Sequence, residues 1–223
     1  HASTQMSVQS IEGIRMLEKA GFSRAVLPRE LSEKEIITIS SQTEMELEYF
    51  VHGALCMCVS GQCLMSSVLG GRSGNRGLCA QPCRLPFGVN GKGGNNLSLK
   101  DLSLVDELDR LEKAGVCSFK IEGRMKRPEY VAAAVTACKN SIENKPDPNL
   151  NRSLQAVFSR SGFTKGYFEN KLGKDMFGIR RKEDVTEASG VLNDLQKLYE
   201  KENPLIGVDF SLTFASETPL LLT

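Results

Sequence analysis

Apolar positions in the first two-thirds of the chain switch repeatedly between two spacings. Ile11, Ile14, Met16 and Leu17 recur at helical spacing within 9–20, with Gly21 as the stop. Arg24-Ala25-Val26-Leu27 is a short apolar run closed by Pro28, which predicts a buried strand. Ser32 followed by Glu35 has the capping-box pattern, and Ile36, Ile37 and Ile39 supply the apolar face of the next helix. Residues 45–52 predict a second strand. Leu102, Leu104, Val105, Leu108 and Leu111 predict a helix stopped by Gly115. Val116–Ile121 predicts a third strand, and Pro128 opens a helix that runs to Ile142.

Strands alternating with helices at this interval predict a parallel α/β fold. There are only about three such units, whereas an eight-fold barrel needs roughly 250 residues. The chain also starts without Met and closes with the apolar run Leu220-Leu221-Leu222 just before Thr223. The expectation is therefore the C-terminal part of a TIM-like (β/α) barrel, with the N-terminal half of that barrel missing and the isolated piece inactive. Residues 1–145 would form the partial barrel, 146–203 a linker and helical connector, and 204–223 the truncated start of a β-containing domain. Within the connector, 145–149 predicts a linker, 150–159 a short helix, 163–184 loop and 191–201 a helix. A strand is expected over 205–214.

Overall composition is that of an ordinary soluble globular protein, with 40% hydrophobic residues, 25% charged and a net charge of +1. Its distribution says more. Residues 49–100 contain no Asp or Glu, yet carry Arg72, Arg76, Arg84, Lys92 and Lys100. This basic island fits an anionic partner such as RNA or a small carboxylate. It fits equally well a set of arginines that offsets thiolates and their metal. No apolar run approaches membrane-spanning length and no signal peptide opens the chain, so a cytoplasmic setting is expected.

The same island holds Cys56, Cys63, Cys79 and Cys83, spaced C-x6-C-x15-C-x3-C. Seven cysteines in all fit poorly with a fully paired disulfide framework. Four clustered thiols suit a soft metal centre, either a [4Fe–4S] cluster or zinc, with a redox disulfide or inert thiols as the remaining readings. Cys117 is a reserve ligand, more simply read as a small buried strand residue, and Cys138 is read as helix packing.

Other candidates follow predicted strands. Glu30, His52, Glu122 and Arg124 would converge at one end of a parallel sheet, where barrel enzymes keep their chemistry. His52 could act as acid–base group or as a structural hydrogen-bond partner. Arg124 could clamp a carboxylate or phosphate, or with Glu122 form a salt bridge at the rim. Lys120 would point inward. Arg72, Asn75 and Arg76, in a glycine-rich hairpin, together with Arg84 and Lys120 are candidate substrate-binding residues. No nucleotide-binding fingerprint, Ser–His–Asp order or HExxH pattern is present.

Several strings together resemble one family. They are Phe50-Val51-His52-Gly53-Ala54-Leu55-Cys56, Ser60-Gly61-Gln62-Cys63, Asn75-Arg76-Gly77, Cys79-Ala80-Gln81-Pro82-Cys83-Arg84 and Lys120-Ile121-Glu122-Gly123-Arg124-Met125-Lys126. Ala2-Ser3-Thr4-Gln5-Met6-Ser7 and Leu27-Pro28-Arg29-Glu30-Leu31 add to them. The family is the collagenase-like peptidases, number thirty-two of those with unassigned mechanism, and the likeness is to its long-form ribosomal RNA hydroxylase branch. The resemblance implies a TIM-like barrel, a [4Fe–4S] cluster on Cys56, Cys63, Cys79 and Cys83, and prephenate as hydroxyl donor. The implied activity is oxygen-independent hydroxylation of a ribosomal RNA cytidine. A collagenase-like peptidase and a non-enzymatic, zinc-stapled RNA-binding scaffold are the alternatives.

Overall fold

The computed structural model describes residues 1–200 except 89 and 125, and beyond them only the backbone at 212–213 and 221–222. The side chain of residue 185 is likewise outside the description. Helix α1 (Ile11–Lys19) leads into β1 (Arg24–Leu27), α2 (Glu33–Ser40) and β2 (Glu46–Gly53). A long excursion with the short helix α3 (Met65–Gly70) precedes β3 (Asp101–Ser103), α4 (Leu108–Lys113) and β4 (Val116–Ile121). Then come α5 (Pro128–Ile142), α6 (Pro148–Phe158), β5 (Phe163–Thr164) and α7 (Lys182–Gln196). Strands β6 (Leu212–Thr213) and β7 (Leu221–Leu222) pair antiparallel, and the rest of the strand expected over 205–214 lies outside the described residues.

β2 is the central strand, buried from Leu47 through Gly53. It pairs parallel with β1 along one edge and with β4 along the other. β1 ends opposite Tyr49, and antiparallel β3 meets β2 just beyond it, at His52 and Gly53. β5 then pairs parallel with β3. The sheet is mixed and, among the described residues, open. On the outer edge of β1, Ala2 makes an isolated bridge to Ala25.

Local chemistry explains much of this frame. The Ser32 hydroxyl accepts from the Glu35 amide while the Glu35 carboxylate accepts from the Ser32 amide at 2.7 Å, so the box closes at both sides. α5 opens with Pro128 in its first turn, where the missing N–H costs nothing. A continuous apolar core joins Leu27, Ile36 and Tyr49 to Leu108, Leu111, Ala133 and, downstream, Leu154, Phe168 and Leu195. Each such leucine withdrawn from water contributes about 1.5–3 kcal/mol.

Three expectations need correction. The helix expected from Leu102 is preceded by β3; only Leu108–Lys113 is α-helical. The expected linker at 145–149 already contains the start of α6, capped by the Asp147 carboxylate on the Asn149 and Leu150 amides. The expected loop at 163–184 contains β5 and the start of α7, which begins at Lys182 rather than near 191.

Candidate functional site at the strand ends and the cysteine loop

Because β1, β2 and β4 run parallel, the residues that follow them emerge on one side. Arg29, after β1, donates from Nη2 to Glu122 Oε2, after β4, at 3.0 Å. The same guanidinium lies 3.6 Å above the centre of the Phe50 ring. Glu122 can sit this close to β2 because Gly53 has no side chain. A Cβ there would lie 2.7 Å from Glu122 Cβ, and Gly53 has φ +143°. Glu30 accepts from Ser60 Oγ at 3.0 Å through one carboxylate oxygen. Its other oxygen is buried without a partner among the described residues. Arg124 reaches the cysteine loop, where a Cβ on Gly77 would lie 2.7 Å from Arg124 Nη1. Glu30, Glu122 and Arg124 thus stand where β1 and β4 deliver them, in contact with the strand ends or the loop.

His52 adjoins Glu122 through the backbone, its carbonyl accepting from the Glu122 amide at 3.0 Å, but its ring is enclosed among aromatic side chains. It is fully buried, its Nδ1 lies 2.9 Å from the Tyr130 hydroxyl, and the rings of Tyr130, Phe158 and Phe163 surround it. Burial alone lowers its pKa to about 3, so the ring is neutral. Lys120 pairs with Glu48, which is also held by Ser118 Oγ at 3.0 Å and Arg24 Nη1 at 3.3 Å. Phe50, Glu48 and Lys120 line a cavity of about 240 Å³ together with Ser3, Thr4 and Val26.

Between β2 and β3 the chain forms α3 and two 3₁₀ turns, Gly74–Arg76 and Pro82–Arg84. All seven cysteines are free. Cys56 and Cys79 are exposed, and Cys63 and Cys83 are half-buried. Desolvation of the sulfur raises the Cys56 thiol above its ordinary value, opposed by the charges of Arg29 and Arg84. Cys58 and Cys63 lie side by side. Cys79 Sγ accepts from the Gln81 amide at 3.3 Å. In kind and number the four thiols, on a segment free of carboxylates, fit a soft metal centre. Among the described residues, however, no group of three or more His, Cys, Asp or Glu is gathered around one point.

The remaining candidates are distributed as follows. Arg72 donates to the Leu78 carbonyl at 3.0 Å, and the Asn75 side chain to the Gly61 carbonyl at 2.8 Å. Arg76 is exposed. Arg84 reaches inward to Leu55, Ser98 and Leu99. Cys117, expected to be buried, is exposed on β4, while Cys138 is buried and its thiol is pushed up to about 11. Sequence reasoning missed Asp101, which is almost wholly buried beneath the loop and holds Arg160 with Nε–Oδ2 at 3.1 Å. The alternation Asp101-Leu102-Ser103-Leu104 was its available signal. It also missed Arg29, which the Pro28 stop places directly after β1.

With this geometry in view, the Peptidase family U32 profile matches residues 1–177. The chain belongs to Peptidase family U32. All the site residues named above, from Arg29 to Arg160, fall within the U32 match. The chain is 44% identical over 138 residues to the 23S rRNA 5-hydroxycytidine C2501 synthase of Escherichia coli (strain K12), covering 59% of this chain and 21% of that protein. It is 35% identical over 156 residues to tRNA hydroxylation protein P1 of Bacillus subtilis (strain 168), covering 64% and 37%. A protein named Collagenase from Porphyromonas gingivalis (strain ATCC BAA-308 / W83) is 33% identical over 196 residues, covering 75% and 47%. The chain therefore spans less than half the length of each of these U32 relatives. No solved structure matches it significantly. Among the described residues, no helix is long and apolar enough to cross a membrane.

Proposed function

We propose that this chain is part of an oxygen-independent RNA hydroxylase, acting on a ribosomal RNA cytidine. The observation that carries this reading is the set of four free thiols on an acid-free, basic loop anchored beside the ends of parallel strands. The relatives named for rRNA and tRNA hydroxylation support it. Cys56, Cys63, Cys79 and Cys83 would hold a [4Fe–4S] cluster, with zinc as the alternative occupant. When bound, the cluster would supply one-electron chemistry that side chains lack.

The chain's own residues would do the rest. Exposed Arg76, with Arg72 and Lys92, offers positive charge to RNA phosphates and attracts them over a distance set by salt. Arg29 fixes Glu122 through an ion pair and a ring contact, which orients the carboxylate at the strand ends. Glu30 keeps one buried carboxylate oxygen without a partner among the described residues, which would accept a proton or a hydrogen bond from a substrate group inserted beside it. A small carboxylate such as prephenate would serve as hydroxyl donor and meet Arg124 at the loop. The missing segment of a TIM-like barrel would complete the enclosure, and the protein would work in the cytoplasm.

The test is anaerobic purification of the full-length protein, with iron and sulfide counted and RNA from cells lacking the gene compared by mass spectrometry. Iron at about four atoms per chain and a missing hydroxyl on one nucleotide are expected. A colourless, zinc-loaded protein and unchanged RNA would defeat the reading.

Peptide-bond hydrolysis is the second reading, supported by the relatives named Collagenase. It needs a nucleophile or a metal-bound water, and the hydrogen-bond partner of His52 is the Tyr130 phenol inside an aromatic cage. Gelatin cleavage that persists without any cluster and is lost in Glu122→Gln would favour it. RNA retention with no modified product would favour a zinc-stapled scaffold instead.

A further inference from the structure

We infer that Arg84 is a positioning residue for the cysteine loop, tying the backbone beside Cys56 to the backbone beside Cys83 so that these two thiols form one preset pair. Arg84 follows Cys83 directly, and its Nη2 donates to the carbonyl of Leu55, the residue before Cys56. Its Nη1 donates to the Leu99 carbonyl at 3.0 Å and to Ser98 Oγ at 3.3 Å. One planar guanidinium thus joins the start of the loop, its far turn and its return to β3. A lysine ammonium, a single point on a flexible stem, cannot reach all three acceptors in fixed directions.

The clasp is itself held. The Arg84 carbonyl accepts from Asn95 Nδ2 at 3.0 Å, and the Arg84 amide donates to the Gln81 carbonyl at 3.0 Å. Ser98 exchanges hydrogen bonds with Gly178, its hydroxyl donating to the Gly178 carbonyl at 2.7 Å and its carbonyl accepting from the Gly178 amide at 3.0 Å. Below, Arg160 is paired with buried Asp101, which also offsets the Arg84 charge. The other two proposed ligands lie elsewhere, on either side of Gly74, with the Cys63 thiol beside Cys58. A Cβ on Gly74 would lie 3.7 Å from Cys79 Cβ and 3.8 Å from the Cys63 carbonyl, so Gly74 sits between Cys63 and Cys79. Arg84 thus ties the backbone at Cys56 and Cys83, while Cys63 and Cys79 approach Gly74 from either side, and among the described residues no three of these groups share one point. That the four thiols close on a shared metal centre rests on the proposed function; the clasp does not.

The full chain is compared with Arg84→Met and Arg84→Lys. Without metal, a short bifunctional maleimide is applied and cross-links are mapped by mass spectrometry. Arg84→Met is expected to lower the Cys56–Cys83 cross-link ~five- to tenfold, the scale of losing a charged hydrogen-bond set, while Cys63–Cys79 stays unchanged. Arg84→Lys falls between. After anaerobic reconstitution, the thiolate-to-iron absorbance of Arg84→Met shifts or weakens, with partial rescue in Arg84→Lys. Equal Cys56–Cys83 cross-linking in all three proteins, or a parallel loss of both pairs, overturns the inference. Arg84-dependent cross-linking in a chain that takes up no iron supports the clasp and removes the cluster instead.

Discussion

The strand ends and the cysteine loop touch one another yet are built on opposite plans. Along the parallel strands and at their ends polar groups have fixed partners: Arg29 with Glu122, Glu48 with Lys120 and Arg24, Glu30 with Ser60, and Tyr49 donating to the Arg29 and Leu31 carbonyls. In the loop, free thiols stand open, and Leu64, Val68 and Leu69 are 63%, 80% and 63% exposed. The loop's order comes from tight turns and from a few hydrogen bonds to its base, above all those of Arg84. The difference teaches that a rigid sheet sets where chemistry can occur, while a separately tethered loop carries the groups that bind.

Substitutions can break or sharpen this contrast. The largest effect is expected where the two regions meet. Asp101→Asn leaves Arg160 buried without its counter-charge, and urea unfolding should show a loss of about 3–5 kcal/mol; a loss below 1 kcal/mol would mean that water replaces the pair. Leu111→Ala, at a fully buried position of α4, should cost about 2–5 kcal/mol by the same measurement.

A pH series isolates His52, whose pKa of about 3 lies below the ordinary 6.5 of an unfolded chain. Between those values the unfolded chain binds a proton that the native ring refuses. Native stability should therefore fall by about 1.4 kcal/mol for each pH unit below 6.5. Asp101, raised by burial to about 6, acts in the opposite sense between pH 4 and 6. The slope is accordingly read as the difference from His52→Phe; identical slopes in the two proteins would show that the native ring does protonate.

Ser32→Ala removes one side of the α2 capping box, for about 1 kcal/mol, seen as a lower unfolding midpoint. On the loop, Val68→Ala should change stability by less than about 0.5 kcal/mol. A larger change would show that α3 is packed rather than open, and would erase the contrast.

Most of the parallel frame was legible because its signals are local. The apolar run of β1 stopped by Pro28, the Ser32–Glu35 box and Pro128 at the start of α5 each specify an element without distant help. β3 was illegible for the opposite reason. Leu102, Leu104, Val105, Leu108 and Leu111 fit a helical period, and only pairing with His52–Gly53 on one side and Phe163–Thr164 on the other makes 101–103 a strand. Asp147-Pro148 carries the same first-turn proline as the start of α5 and adds a capping carboxylate that Arg127 lacks, but its Pro- and Asn-rich setting reads as linker. At the site, Glu122 and Arg124 could be found because they directly follow a strand. The Arg29–Glu122 pair could not, since its halves come from different strands and nothing in the spacing links them. His52 shows the limit of reading function from position. It ends a strand where catalysis is expected, yet α5 and α6 close over it with aromatic rings.

The reciprocal bonds between Ser98 and Gly178 carry a practical consequence for anyone shortening the gene. A product cut after residue 145 would discard Phe158 and Phe163, which insulate His52, and Arg160, the mate of Asp101. What is inherited as one piece in this region is therefore a belt fastened near Gly178, and any minimal expressible version must keep its buckle.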